Sequence, residues 1–391
     1  MTRGLLGLLL VTLVAPIGQR PTFKSTTEVV SVEASVVSKN GLPIRDLRSD
    51  DFEVSISGTK RRIVSFQYVD YSEPLPRTAM PSSGGSSKLD VAPRPRRMFI
   101  LAVDEHSLHI SNALAGVEAA GRFLDRLQPD DLVGVYAYPT GAAKEDLTTD
   151  HAKVRRALRQ VTGLFIDPPN RYNLSPSEII DVASDSEETQ RSVWRRECQA
   201  GGCSAGDIRR EATSLAAFLE MRVTQSLGGL RGLISSLREI PGRKVLVLVS
   251  GGLVSTDRSV GRANFSGEIS QLGREAAFAD VSVFALHLDW SFLEALGSRG
   301  GLRLSYFRDS NLAASGLDQV AGAAGGTVIR VHGTSPNAAF DRVLLETSGY
   351  YLLGVDRKAE DREGRIQPIK VSVRRSGSMV RSRKQIVLPS R

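Results

Sequence analysis

The sequence predicts an α/β fold: a doubly wound, mostly parallel, Rossmann-like sheet, flanked by antiparallel β segments at both ends of the chain. Short apolar runs at 98–104, 132–138, 245–249, 281–288 and 326–331 alternate with amphipathic stretches of helical period. Such alternation implies parallel strands with helices packed on both faces. The run Val245 to Val249 is apolar at every position, as a strand covered on both sides must be. Before residue 70 and after residue 349 the apolar period changes to two, which suits half-buried antiparallel strands.

Residues 24–70 form the expected N-terminal β unit. Val30, Val32, Ala34 and Val36 alternate with polar neighbours, as do Phe52, Val54 and Ile56, and then Val64, Phe66 and Tyr68. Lys39-Asn40-Gly41 and Ser57-Gly58 supply turns, because Asn and Gly tolerate positive φ. Roughly four antiparallel strands are expected here, a unit marginal alone by its size. Residues 71–95 are rich in Pro, Ser and Gly and read as a linker.

The α/β domain is expected over 96–348. Strand 98–104 delivers Asp104 to a loop, followed by a helix over 111–127; strand 132–138 and helix 151–161 come next. Residues 164–209, with Pro168, Pro169, Pro176 and many charges, interrupt the pattern and read as an irregular insertion. A helix over 211–239 leads to strand 245–249, and helices over 268–279, 316–324 and 335–347 alternate with the remaining strands. The C-terminal segment, 349–391, returns to β structure with strands at 350–355, 369–374 and 379–388. Neither end segment makes a sizeable core alone, so the two are expected to share one β-sandwich.

At 391 residues the chain exceeds the about 250–300 that one core usually serves, so more than one domain is expected. The net charge is +8, but the basic residues are dispersed and aromatics make up only 6% without interleaving among them. A nucleic-acid partner is therefore not expected. Residues 1–20 read as a signal peptide: Arg3 precedes an apolar stretch from Gly4 to Ala15, shorter than the about 20 residues a membrane span needs. No membrane span is expected in the mature chain, which should be exported to the periplasm or secreted. Cys198 and Cys203, the only cysteines, are expected to pair as a disulfide across a Gly-Gly turn.

Asp104, Glu105, His106 and His109 are candidate Zn²⁺ ligands, although a polar turn is the commoner meaning of such a cluster. Asp104 can equally cap the following helix. Ser250 with His287 and Asp289 is the only hydrolase-like combination, and Leu248 stands where a nucleophile elbow needs glycine. Ala321 to Gly326 precedes a strand, so it reads as a helix C-cap and not as a phosphate-binding loop.

Several segments together resemble the von Willebrand factor type A family, and more closely the VWFA-related exported proteins known mainly from Acidobacteria. They are Asp46 to Val54, Gly58, Ile63 to Phe66, Met98 to Asp104, Ala323 to Gly326, Tyr350 to Gly354 and Ile369 to Arg383. The resemblance implies a non-enzymatic role in protein or cell-surface ligand recognition through a metal-ion-dependent adhesion site. That site reads Asp-x-Ser-x-Ser after the first strand, with a Thr from a second loop and a further Asp; Mg²⁺ wants about six oxygen ligands. Asp104 matches the first Asp, but His106 and Leu108 stand at the two Ser positions. Ser107 has the right chemistry at another spacing, Thr148 matches the Thr with Thr149 one register away, and Ser250 or Gly251 replaces the second Asp. The expectation is a degenerate site. It has no cofactor, or Mg²⁺ or Mn²⁺ held weakly by Asp104, Ser107 and Thr148, and ligand contacts come from Asp104, Glu105, His106, Ser107, Thr148, Thr149, Ser250 and Gly251. The alternatives are divalent-metal-dependent ligand binding at the partial site and, third, a hydrolase.

Overall fold

The computed structural model describes residues 29–71, 96–199, 201–258, 261–289, 305–332, 336–358, 361 and 364–388. The expected signal peptide, 1–20, and all but the first residue of the expected linker, 71–95, lie outside the described residues.

The N-terminal segment supplies β1 (Val29–Ser38), β2 (Phe52–Ile56), β3 (Thr59–Arg61) and β4 (Ile63–Asp70). The middle of the chain runs β5 (Met98–Asp104), α1 (Ile110–Leu124), β6 (Leu132–Tyr138), β7 (Lys144–Thr148), α2 (His151–Leu158), α3 (Pro176–Ala183), α4 (Glu187–Glu197) and α5 (Ala205–Ser236). It continues with β8 (Lys244–Ser250), α6 (Ser266–Phe278), β9 (Val281–Asp289), α7 (Tyr306–Ala323), β10 (Thr327–His332) and α8 (Asn337–Glu346). The C-terminal segment supplies β11 (Gly349–Asp356), β12 (Ile366–Val373), β13 (Ser378–Arg381) and β14 (Gln385–Val387).

The central sheet has six strands in the order β10-β9-β8-β5-β6-β7. All neighbours are parallel except the edge pair β6–β7. Every residue of β5 and β8 is buried, as their unbroken apolar runs require. Odd positions of β5 (Phe99, Leu101, Val103) pack with α1, α2 and α8, while Ile100 and Ala102 pack with α5, α6 and α7. The chain leaves β5 toward β6 on one side, then returns to place β8 on the other. The order of strands therefore reverses between β5 and β8, where open α/β sheets form ligand crevices.

Five expectations require correction here. The insertion 164–209 is not irregular: it contains α3 and α4, whose Ile179, Ile180, Val182 and Val193 join the core on the α5 side. Helix α5 begins at Ala205, inside that insertion, because Ser204 and Asp207 form a capping box at its start. Residues 144–148 form a strand that the reading of the sequence missed. The N-terminal strands do not pair as one unit, since only β2 and β3 are neighbours, and the expected last strand 379–388 divides into β13 and β14.

The end segments form two four-stranded antiparallel sheets, β13-β1-β11-β4 and β14-β12-β2-β3. Both contribute to one core, with Val32, Ala34, Tyr351 and Leu353 from one sheet and Val54, Ile56, Val371 and Ile386 from the other. The Tyr351 hydroxyl accepts from Leu47 N (3.1 Å) and donates to Ile44 O (2.9 Å), tying the loop after β1 to the core. This sandwich sits at the N-terminal edge of the central sheet. Arg243, just before β8, pairs with Glu33 at 3.5 Å; Arg383 pairs with Asp280, just before β9, at 3.2 Å. Glu346, fully buried at the end of α8, holds Arg342 and reaches Arg381 of β13. The C-terminal edge of the sheet is left to loops.

Candidate functional site

Asp104 ends β5 and Ser250 ends β8, so the topology brings their side chains to the same crevice. Asp104 is 1% exposed. Its Oδ2 accepts from Ser226 of α5 at 2.6 Å and from Ser250 at 3.4 Å, while its Oδ1 is buried with no hydrogen-bond partner. Burial pushes the carboxyl pKa up; the hydroxyls of Ser226 and Ser107 and the charge of Arg222 oppose that only in part. The neighbouring Tyr138 hydroxyl is also pushed well up, by burial first and the Asp104 charge second.

Ser107 knits the two loops together. Its Oγ donates to Asp104 O (2.8 Å), accepts from Gly251 N (2.9 Å) and lies 3.0 Å from Ser250 Oγ. Gly251 has to be glycine, because a Cβ there would run into the Ser107 carbonyl oxygen. Glu105, expected among the ligand contacts, instead turns inward and is fully buried. Its carboxylate accepts from the Thr140 hydroxyl and from Thr162 N (3.2 Å), fastening the loops after β6 and α2. His106 meets Gln225 at 3.3 Å, and the His109 ring lies 4.4 Å from that of Phe165. Asp104, Glu105, His106 and His109 thus point to different partners and do not converge as Zn²⁺ ligands.

Thr148 and Thr149 do not join this site, which corrects their expected role. Thr148 pairs with Val133 near the start of β6, whereas Asp104 is level with Tyr138 at its end. Strand β7 folds back along the sheet edge and carries both threonines to the opposite end, where Thr148 Oγ1 accepts from Asp150 N. The threonine near Asp104's loop is Thr140. The donor set does not fit Mg²⁺. Among the described residues that close β5 and β8, Asp104 is the one carboxylate beside Ser107 and Ser250; one of its oxygens is taken by Ser226, and the hydroxyls of Ser107 and Ser250 are committed to each other and to backbone. Among the described residues no group of three or more His, Cys, Asp or Glu side chains could hold a metal ion.

Ser250 and His287, named in the hydrolase alternative, do not hydrogen-bond to each other. Ser250 and His287 are level in register, but His287 Nε2 meets Gly251 O at 3.1 Å and Ser250 turns to Asp104 and Ser107. Asp289 accepts from Tyr306 and Ser310 at the start of α7.

These loops open into a cleft of about 610 Å³. Asp104, Ser107 and Ser226 line one part, and Leu219, Val223, Leu253 and Leu288 line another. Arg222 also faces it, with its guanidinium carbon 3.9 Å above the centre of the Phe165 ring. Both α5 residues, Arg222 and Ser226, escaped the reading of the sequence. One helical turn apart, they share a face of α5, but nothing in the local pattern sets that face apart from the rest of the helix. Cys198 and Cys203 form a disulfide, with Cα atoms 5.2 Å apart, at the turn between α4 and α5. No helix among the described residues is long and apolar enough to cross a membrane.

No protein-family model matches this sequence, and no curated protein matches it in a sequence search.

Proposed function

We propose that this is an exported, non-enzymatic recognition protein of the von Willebrand factor A type, binding a protein or cell-surface ligand at the C-terminal edge of its central sheet. The supporting observation is a set of exposed apolar side chains next in sequence to residues that line the cleft. Ile110 follows the lining residue His109, Ile166 lies between Phe165 and Asp167, Met221 precedes Arg222, and Phe307 follows Tyr306. Ile166 is 78% exposed and Phe307 67%. Contiguous exposed apolar patches mark partner surfaces. The sandwich occupies the other edge of the sheet, a position suited to a stalk or companion domain.

Export is supported by the charged and apolar start of the chain and by the disulfide. The adhesion site is read as degenerate, so recognition proceeds without a divalent ion. The metal-dependent alternative loses support with Thr148, which lies at the far end of the sheet from Asp104.

The test is capture of partners from envelope extract by wild type and by an Ile166→Asp/Phe307→Asp double variant, each with and without chelator. A partner retained by wild type in chelator and lost by the variant is the expected result. Capture that depends on divalent metal, or that the variant leaves intact, overturns this reading.

A further inference from the structure

Arg222 is the strongest unexplained feature of the molecule. A guanidinium presents five N–H donors in a rigid plane. Phe165 covers one face of that plane, and Phe218 lies 5.6 Å away. No hydrogen bond or ion pair engages the Arg222 donors among the described residues, although the side chain is half-buried. Surrounding arginines behave differently: Arg258 and Arg308 both pair with Asp181, and Arg262 pairs with Glu220.

The acids of the same cleft do not neutralise Arg222 by contact. Asp309 is engaged by Ser175 Oγ (3.1 Å) and Ser177 N (2.8 Å) at the start of α3. Asp104 is engaged by Ser226, and burial favours its proton-bound form. Asp167 is exposed and outside ion-pair distance. One cationic fork is therefore available beside walls formed by Leu219, Val223, Leu253, Val254 and Leu288. The cleft volume of about 610 Å³ lies within the range of small-ligand sites, roughly 300–1,000 Å³.

We propose that the cleft binds a small amphipathic monocarboxylate, its head on the Arg222 fork and its apolar body against the Leu/Val walls. A planar carboxylate matches the guanidinium in two parallel hydrogen bonds and balances its single charge. A dianion such as phosphate would set its second charge against Asp167 and Asp309. The site needs no metal, and it is independent of whether a protein docks on the rim.

The probes are hexanoate and 4-phenylbutanoate, compared with their neutral amides, titrated into the full mature chain in chelator and followed by calorimetry and NMR. Acids that bind at least about tenfold more tightly than their amides are the expected result. Arg222→Gln should weaken acid binding by about tenfold or more, and Arg222→Lys, which keeps the charge but loses the fork, by less. Val254→Trp should block both probes by filling the cleft from its partly exposed wall, with circular dichroism verifying the fold of each variant. Equal binding of acid and amide, undiminished binding by a folded Arg222→Gln or Val254→Trp protein, or no acid binding at about 10 mM overturns the proposal. Partner capture in the rim experiment has no bearing on these outcomes, so the two proposals fail separately.

Discussion

Asp104 is held out of water with one carboxyl oxygen unpaired, and this has a measurable consequence for stability. Its folded-state pKa lies above the ordinary value of 3.8. Its contribution to stability is therefore complete below that value and is lost as pH rises through the raised one. Asp104→Asn has no proton to lose, so its melting temperature should gain on wild type as pH rises from about 4 towards neutral. A difference between the two proteins that stays constant across that range would refute the assignment. At Gly251 the constraint is steric: Gly251→Ala pushes a methyl against the Ser107 carbonyl. A loss on the order of 1–3 kcal/mol in denaturant unfolding is expected, the usual size for overpacking. Asp104 was legible as a site residue because an acid closing an apolar strand is a strong local signal. Thr148 was misplaced because residues 144–148 read Lys-Glu-Asp-Leu-Thr, too polar to resemble a strand. An edge strand facing solvent tolerates that composition, and its reversal carries the threonine away from the site.

Among the elements, the helices of the 164–209 segment were the least legible, although their start signals were written out. Ser175 and Glu178 form a capping box with Pro176 in the first turn; Ser186 accepts from Thr189 N at the start of α4. The surrounding prolines and charges drew attention to loop structure, while the apolar residues that bury these helices against α5 are few and spaced within short segments. The Cys198–Cys203 bridge fastens the turn joining α4 to α5. Its loop is short, so replacing both cysteines with serine should cost roughly 2 kcal/mol by chain entropy. Urea unfolding of the double variant measures this; an unchanged midpoint would mean that the packing of α4 and α5 holds the turn without the bond.

For the whole molecule, the two ends of the chain make one folding unit. β1 pairs with β11 and β13, β2 pairs with β12, and β4 pairs with β11. A chain ended after residue 348 would leave β1 and β4 without neighbouring strands, since among the described residues β2–β3 is the only pair of strands joined inside the N-terminal segment. Limited proteolysis of that truncation should cut within 29–71 at sites that the full chain protects. Protection equal to that of the full chain would show that the N-terminal strands fold independently. The same arrangement anchors the sandwich to the N-terminal edge of the central sheet, away from Asp104 and Ser250.

The sequence by itself determined the alternation of strands and helices, the buried central strands, the arrival of Asp104 at a strand end and the shared sandwich of the termini. These follow from apolar periodicity and from burial, which act over a few neighbouring residues. Tertiary structure alone decided that Glu105 turns inward, that Thr148 goes to the far edge, and that Arg222 and Ser226 enter the cleft from a distant helix. Such placements depend on contacts between residues far apart in the chain, where local period carries no information about which side chains meet.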